Sequence, residues 1–187
     1  MPRLSSVSKA FDGKQVLSLF SLDINKGDRI CLMGASGCGK TTVINLLLGL
    51  VAPDSGTVEN PLKTSAVFQE DRLCEDFSAL SNVRMVMPDG DTERARALLC
   101  EAGLCDDLSR PVRELSGGMK RRVAICRALA ADHDMLLLDE PFSGLDEHTK
   151  GEIAALINRY ETDKTLVLVT HDPTDAELLS ARVINLN

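Results

Sequence analysis

The stretch "GASGCGKTT", Gly34 to Thr42, constrains the chain more than any other. It satisfies the pattern G-x-x-x-x-G-K-[ST], and it falls between the β-rich run "RICLMG" and the helix-like "TTVINLLLGL", the context in which such a loop cradles phosphate. Gly34, Gly37 and Gly39 permit backbone angles and close approaches that side chains forbid, so consecutive N–H groups can converge on phosphate oxygens. The helix that follows adds roughly half a positive charge at its start. Lys40 is placed to reach terminal phosphates, Thr41 to ligate a divalent cation and Thr42 to add a hydroxyl.

Strand and helix signals alternate on both sides of this loop. "FSLDINKGDRICLMG" reads as two β runs around a turn at Lys26 and Gly27, and short strands follow at "GTVE" and "TSAVF". From about Arg72 to Ala131 the pattern is helical: "DTERARALLCEAGL" puts Ala95, Leu98, Leu99 and Ala102 on one face. "MLLLDE" and "TLVLVT" are continuous apolar runs of the kind buried on both faces of a parallel sheet, "EHTKGEIAALINRY" is amphipathic, and "RVINL" is a last strand. Alternation of this sort implies a right-handed, mostly parallel α/β sheet.

The strand "MLLLD" delivers Asp139 and Glu140 at its C-terminal end, the edge at which open α/β sheets bind ligands. Beside the phosphate loop, Asp139 is the expected Mg²⁺ holder, and Glu140 the group that polarises a water. A second glycine-bearing helix start occurs in "ELSGGMKRRVAICRALA". Ser116, Gly117 and Gly118 offer a hydroxyl and free N–H groups there, but no lysine or threonine is placed to hold Mg-nucleotide, so the segment is half a site. "KRR", Lys120 to Arg122, reads as a solvated charged face rather than a nucleic-acid patch.

Composition narrows the partners. With 187 residues and 44% hydrophobic content the chain can bury a core as one domain. A formal charge of -7, from 21 Lys and Arg against 28 Asp and Glu, argues against a protein that coats nucleic acid. Six scattered cysteines show no CxxC and no paired histidine spacing, so reduced thiols are expected, with neither metal site nor disulfide. "PRLSSVSKAF" lacks the apolar core of a signal peptide, and no apolar run approaches the roughly 20 residues that span a bilayer.

Taken with "ELSGGMKRR", "FSGLDEHT" and "VLVTHD", the phosphate loop and the "MLLLDEP" strand make the chain resemble the nucleotide-binding subunit of an ATP-binding-cassette transporter over essentially its whole length. The resemblance implies a P-loop NTPase core of RecA-like type, with a mostly parallel sheet, an N-terminal antiparallel β part and an inserted helical subdomain. On that pattern residues 1–187 form one cassette domain, with 1–71 and 132–187 the nucleotide-binding core and 72–131 the helical subdomain bearing the "LSGGM" signature.

The resemblance also implies roles residue by residue. Phe11, beside Val16, is expected to stack on adenine, where most members have tyrosine. Gly34, Ala35, Ser36, Gly37, Cys38, Gly39, Lys40, Thr41 and Thr42 hold the phosphates of ATP, and Thr41, Gln69 and Asp139 serve Mg²⁺. Gln69 also contacts the attacking water, Glu140 activates it, and His171 bonds the γ-phosphate. Ser116, Gly117 and Gly118 meet the ATP of a second subunit packed head to tail, and Asp146 meets that partner across the dimer. Met119 stands where glutamine is commonest.

The implied function is ATP hydrolysis that drives a transmembrane permease from the cytoplasmic face of the membrane, in a homodimer or with a paired subunit. "VFQEDRL" and the signature look most like import subunits of the nitrate, sulfonate and taurine type, which leaves room for an extracytoplasmic solute-binding protein. Two alternatives stand beside this. One is a soluble cassette ATPase of translation or DNA repair; the other is a small-molecule kinase, which leaves "LSGG" and "SGLD" unused.

Overall fold

The computed structural model describes residues 1–186. Two sheets and six α-helices make up the described fold. Strands β1 (Arg3–Phe11), β2 (Lys14–Asp23) and β4 (Ser55–Glu59) form an antiparallel sheet in the order β2-β1-β4. Strands β3 (Arg29–Met33), β5 (Thr64–Val67), β6 (Met135–Asp139), β7 (Thr165–Val169) and β8 (Arg182–Asn185) form a five-stranded sheet in the order β5-β6-β7-β3-β8. Every pairing in the second sheet is parallel. The expected division into an N-terminal antiparallel part and a parallel sheet therefore holds.

The continuous apolar runs have a simple cause. Side chains alternate across a strand, so a strand covered on both faces must be apolar at every position. All five residues of β6 and of β7 are buried. Leu136, Leu138, Leu166, Leu168 and Cys31 point into one core, which they share with the helices of the segment between Ala79 and Ala130. Met135, Leu137, Val167, Val169, Ile30 and Leu32 point into the other, shared with α1 (Lys40–Leu47) and the antiparallel sheet. The helical segment and the antiparallel sheet thus cover opposite faces of one parallel sheet.

Helices α2 (Ala79–Arg84), α3 (Thr92–Glu101) and α4 (Gly117–Ala130) build the helical segment, and α5 (Glu147–Tyr160) and α6 (Pro173–Leu178) follow β6 and β7. The α3 face expected from spacing is the one that packs: Ala95, Leu98, Leu99 and Ala102 are all buried. Side-chain caps start α2 to α6, from Ser78, Asp91, Ser116, Asp146 and Asp172. Among the described α-helices only α1 starts without one.

Two expectations are corrected. The cysteines are not all free thiols, because Cys100 and Cys105 are disulfide-bonded. The reason is local: α3 ends at Glu101 and Gly103, at φ +71°, turns the chain back, which brings the two Cα atoms to 4.2 Å. Cys31 and Cys126 are free thiols as expected, and burial pushes the pKa of both up to about 12. Second, "KRR" is not a solvated face. Arg121 is only 3% exposed, and Arg122 bends back to donate to the carbonyls of Ala102 and Gly103 at 2.9 and 3.2 Å. Arg121 stands four residues after Gly117, one helical turn in, on the side of α4 that faces the sheet.

Candidate nucleotide site

At the C-terminal edge of the parallel sheet lies a cavity of about 620 Å³. The loop from β3 to α1 forms its floor, with Ser36, Gly37, Gly39, Lys40, Thr41 and Thr42; the strand ends contribute Gln69, Asp139, Glu140 and His171. These residues come from four separate crossings of the sheet edge, which is where the topology places ligand sites.

The loop tolerates no side chain at its ends. A Cβ on Gly34, at φ +154°, would sit 2.5 Å from the Leu186 carbonyl oxygen, and one on Gly39, at φ +103°, would sit 2.7 Å from Leu17 Cδ2. Helix α1 begins directly after, and its uncapped first turn leaves backbone N–H groups facing the cavity. Lys40 Nζ donates to the carbonyls of Gly34 and Ala35 at 2.7 and 3.0 Å, which arches the loop over its own ammonium group.

Asp139 is 1% exposed, and its Oδ1 has no hydrogen-bond partner. Burial is the main influence on its carboxyl and raises its pKa above the ordinary value, although a hydrogen bond from the Thr41 side chain pulls the other way. A buried carboxylate oxygen beside a threonine hydroxyl, with Gln69 in the same wall, is a hard oxygen donor set that fits Mg²⁺. Among the described residues no cluster of three or more His, Cys, Asp or Glu forms a separate metal centre.

Glu140 follows directly, at φ +49°, a left-handed conformation uncommon for a residue with a side chain. Its Oε1 lies 2.9 Å from His171 Nδ1, and the Thr170 hydroxyl approaches its Oε2 at 3.4 Å. The hydrogen bond to Glu140 raises the His171 pKa, with the carboxylate charge adding to it. Thr170 also donates to Asp175 Oδ2 at 2.6 Å, within a buried group completed by Lys150.

Other expected site residues stand apart from this cavity. Val16 lines it, but Phe11 does not: the ring is exposed at the tip of the β1–β2 hairpin with the Lys9 ammonium 5.4 Å from its centroid. Cys38 turns into a smaller pocket of about 270 Å³ with Leu17, Phe20 and Leu186. Ser116, Gly117 and Gly118 also lie outside the wall. Ser116 and Gly117 are exposed, and a Cβ on Gly117 would meet nothing within 4 Å. Asp146 caps α5, accepting from Thr149 N at 3.0 Å and Thr149 Oγ1 at 2.8 Å. That cap was readable as D-x-x-T before an amphipathic run.

Sequence reasoning missed Lys14 and Ser143 in the cavity wall, and Thr170 behind Glu140. Lys14 carries no local signal, since it reaches the site only through hairpin geometry. Ser143 lies in "FSGLD", three residues from both Glu140 and Asp146, and Thr170 in "VLVTHD" directly precedes His171.

A parallel sheet with a glycine-rich loop and an acidic strand end converging on one cavity defines a P-loop NTPase fold. Residues 17–143 match the ABC transporter family, and the chain belongs to that family. It is 40% identical over 97% of its length to an aliphatic sulfonates import ATP-binding protein, SsuB 1, of Paraburkholderia xenovorans, and spans 56% of that protein. It is 42% identical over 98% of its length to the SsuB 1 of Pseudomonas syringae pv. tomato, and spans 69% of it. The chain thus covers little more than half of some relatives and about two thirds of others.

Among solved structures, the dimeric post-hydrolysis ATP-binding cassette MJ0796 bound to ADP and Pi is similar at TM-score 0.87 and 30% identity, with 100% of this chain and 94% of that one covered. A bacterial Atm1-family ABC exporter with ATP bound shares the fold at TM-score 0.89 and 21% identity, with 36% of that chain covered. The described residues contain no helix long and apolar enough to cross a membrane.

Proposed function

We propose that the chain is the ATP-hydrolysing subunit of an import transporter, and that two copies close around ATP. The observation that carries the hydrolytic part is the buried, unpartnered Asp139 Oδ1 beside Thr41, in the cavity floored by Lys40 and walled by Glu140.

The α1 N–H groups and Lys40 bind the β- and γ-phosphates, and Val16 packs beside the nucleotide. Thr41, Gln69 and Asp139 would hold Mg²⁺, which supplies charge neutralisation on the phosphate oxygens when bound. Glu140 accepts a proton from the water that attacks the γ-phosphorus in line, and ADP leaves as the P–O bond breaks. His171, hydrogen-bonded to Glu140, orients that carboxylate and reaches toward the γ-phosphate. Phe11, exposed at the tip of its hairpin, would offer its ring face to adenine.

The signature segment supports the dimer. Ser116 and Gly117 face solvent away from this chain's own cavity, as expected of the half that serves a partner's ATP. Sulfonate import is the reading favoured for the solute class, because relatives at about 40% identity carry that name. A membrane permease then receives the work of closure, and the chain sits peripherally at the cytoplasmic face. Residues 72–131 act as the helical subdomain that presents the signature.

Phosphate release from ATP with no acceptor present tests the reaction. The expected result is Mg²⁺-dependent release that Glu140→Gln abolishes; transfer only to an added acceptor would make the chain a kinase instead. Co-purification with a polytopic membrane protein tests the transport assignment.

A further inference from the structure

We propose that Arg121 is the positioning residue that fixes Gln69 and Glu140 to the helix that starts at the signature segment. This rests on the hydrolytic reading above and adds a residue to it.

Arg121 belongs to α4, one turn after Gly117, and its guanidinium group is buried. It has five N–H donors in a rigid plane, and each finds an acceptor. Nε donates to the Pro141 carbonyl at 2.9 Å, and Nη2 to the carbonyls of Asp139 and Glu140 at 2.8 and 2.6 Å. Nη1 donates to the Phe68 carbonyl at 2.6 Å and to Asp71 Oδ1 at 3.0 Å, with the Gln69 carbonyl at 3.5 Å. One side chain therefore joins the loop after β5, which carries Gln69, to the loop after β6, which carries Glu140.

The second loop needs such a hold. Glu140 keeps a left-handed backbone that persists only where its surroundings over-determine it, and three consecutive carbonyls, from Asp139 to Pro141, are drawn to one cation. A second arginine of α4 reinforces the first loop: Arg127 donates to the carbonyls of Asp71 and Arg72 at 3.0 and 2.9 Å. Any displacement of the start of α4 against the sheet pulls on both loops together. Lysine cannot replace Arg121, because an ammonium offers three donors at one point while the five strong acceptors lie on two separate loops.

The experiment compares wild type, Arg121→Lys, Arg121→Ala and Lys120→Ala on the full chain. Thermal melts, ATP Kd, kcat and KM are measured. Arg121→Lys is expected to bind ATP within about threefold of wild type while kcat falls about tenfold to hundredfold with KM little changed, the loss that misplacement of reacting groups by about 1 Å produces. Methylguanidinium at millimolar concentration is expected to restore part of the kcat of Arg121→Ala. Lys120, whose partner is the exposed Glu75 at 3.2 Å, is expected to be replaceable without loss.

Wild-type kcat in Arg121→Lys, or a loss that only follows weakened ATP binding, overturns the proposal. Amide exchange decides if Arg121→Ala does not fold: in Arg121→Lys, residues 68–72 and 139–143 must exchange faster together, and unchanged exchange at either loop refutes the shared hold. If the wild type itself releases no phosphate, the hydrolytic reading fails, and the exchange result still judges the grip of Arg121 on the two loops.

Discussion

His171 Nδ1 lies 2.9 Å from Glu140 Oε1, joining the ends of two adjacent parallel strands across 31 positions of sequence. The imidazole is 79% exposed, so the carboxylate rather than burial sets its titration, raising its pKa above the ordinary 6.5. Because the folded value is raised, the pair's contribution to stability is present below the unfolded pKa and is lost as pH rises through the folded one. Histidine NMR titration of Glu140→Gln should return His171 toward 6.5. An unmoved His171 titration would dissociate the two residues.

Asp139 illustrates a conflict between stability and binding. Its folded pKa is raised by burial, so ionising it costs the fold. Asp139→Asn should therefore raise Tm, while Mg²⁺-dependent ATP binding is lost. Calorimetric melting alongside ATP titration with and without Mg²⁺ checks both. A lower Tm would mean that the carboxylate supports the fold.

Much of this site was legible in sequence because its parts are local. The phosphate loop and the acidic end of β6 announce themselves within a dozen residues each, and α5 spans Glu147–Tyr160, the run its amphipathic pattern marks. Helices α2 and α6, of six residues each, are too short for a 3.6 period to register. Arg121 was misjudged because a triplet of charges says nothing about which one turns inward; only the packing of α4 against the sheet decides that. The Cys100–Cys105 bridge escaped because its spacing matches no metal or redox motif, and only the turn after α3 brings the pair together. The Glu140–His171 pair depended on β6 and β7 being neighbours, which alternation suggests and pairing settles.

The disulfide closes a short loop at the end of α3, and Arg122 of α4 holds the carbonyls inside it. Chain-entropy reasoning for a loop of this length gives about 2 kcal/mol of stabilisation. Cys105→Ser, or reduction of the wild type, is expected to lower stability by that order in urea unfolding. No difference between oxidised and reduced protein would show that the bridge constrains nothing.

Lys40 is buried among loop carbonyls and forms part of the cavity floor. Removing its charge-assisted hydrogen bonds to phosphate should cost about 1.5–3 kcal/mol, so Lys40→Ala should bind ATP roughly 10- to 150-fold more weakly. Isothermal titration gives the ratio. Cys38 offers a milder probe: its Sγ stands 4.0 Å from Lys40 Nζ, so stoichiometric alkylation should distort the loop and block nucleotide, whereas Cys38→Ser should not.

In the proposed cycle, ATP is shared between two copies through Ser116 to Gly118. Sedimentation equilibrium of Glu140→Gln with Mg-ATP tests it directly, with the double variant Glu140→Gln, Gly117→Glu as control. Gly117 has open space around it, so the added side chain leaves the single subunit undisturbed. Glu140→Gln with Mg-ATP is expected to be a particle of twice 20.3 kDa, and the double variant a monomer. A Glu140→Gln protein that stays monomeric at saturating Mg-ATP, or a double variant that dimerises as well, would contradict it.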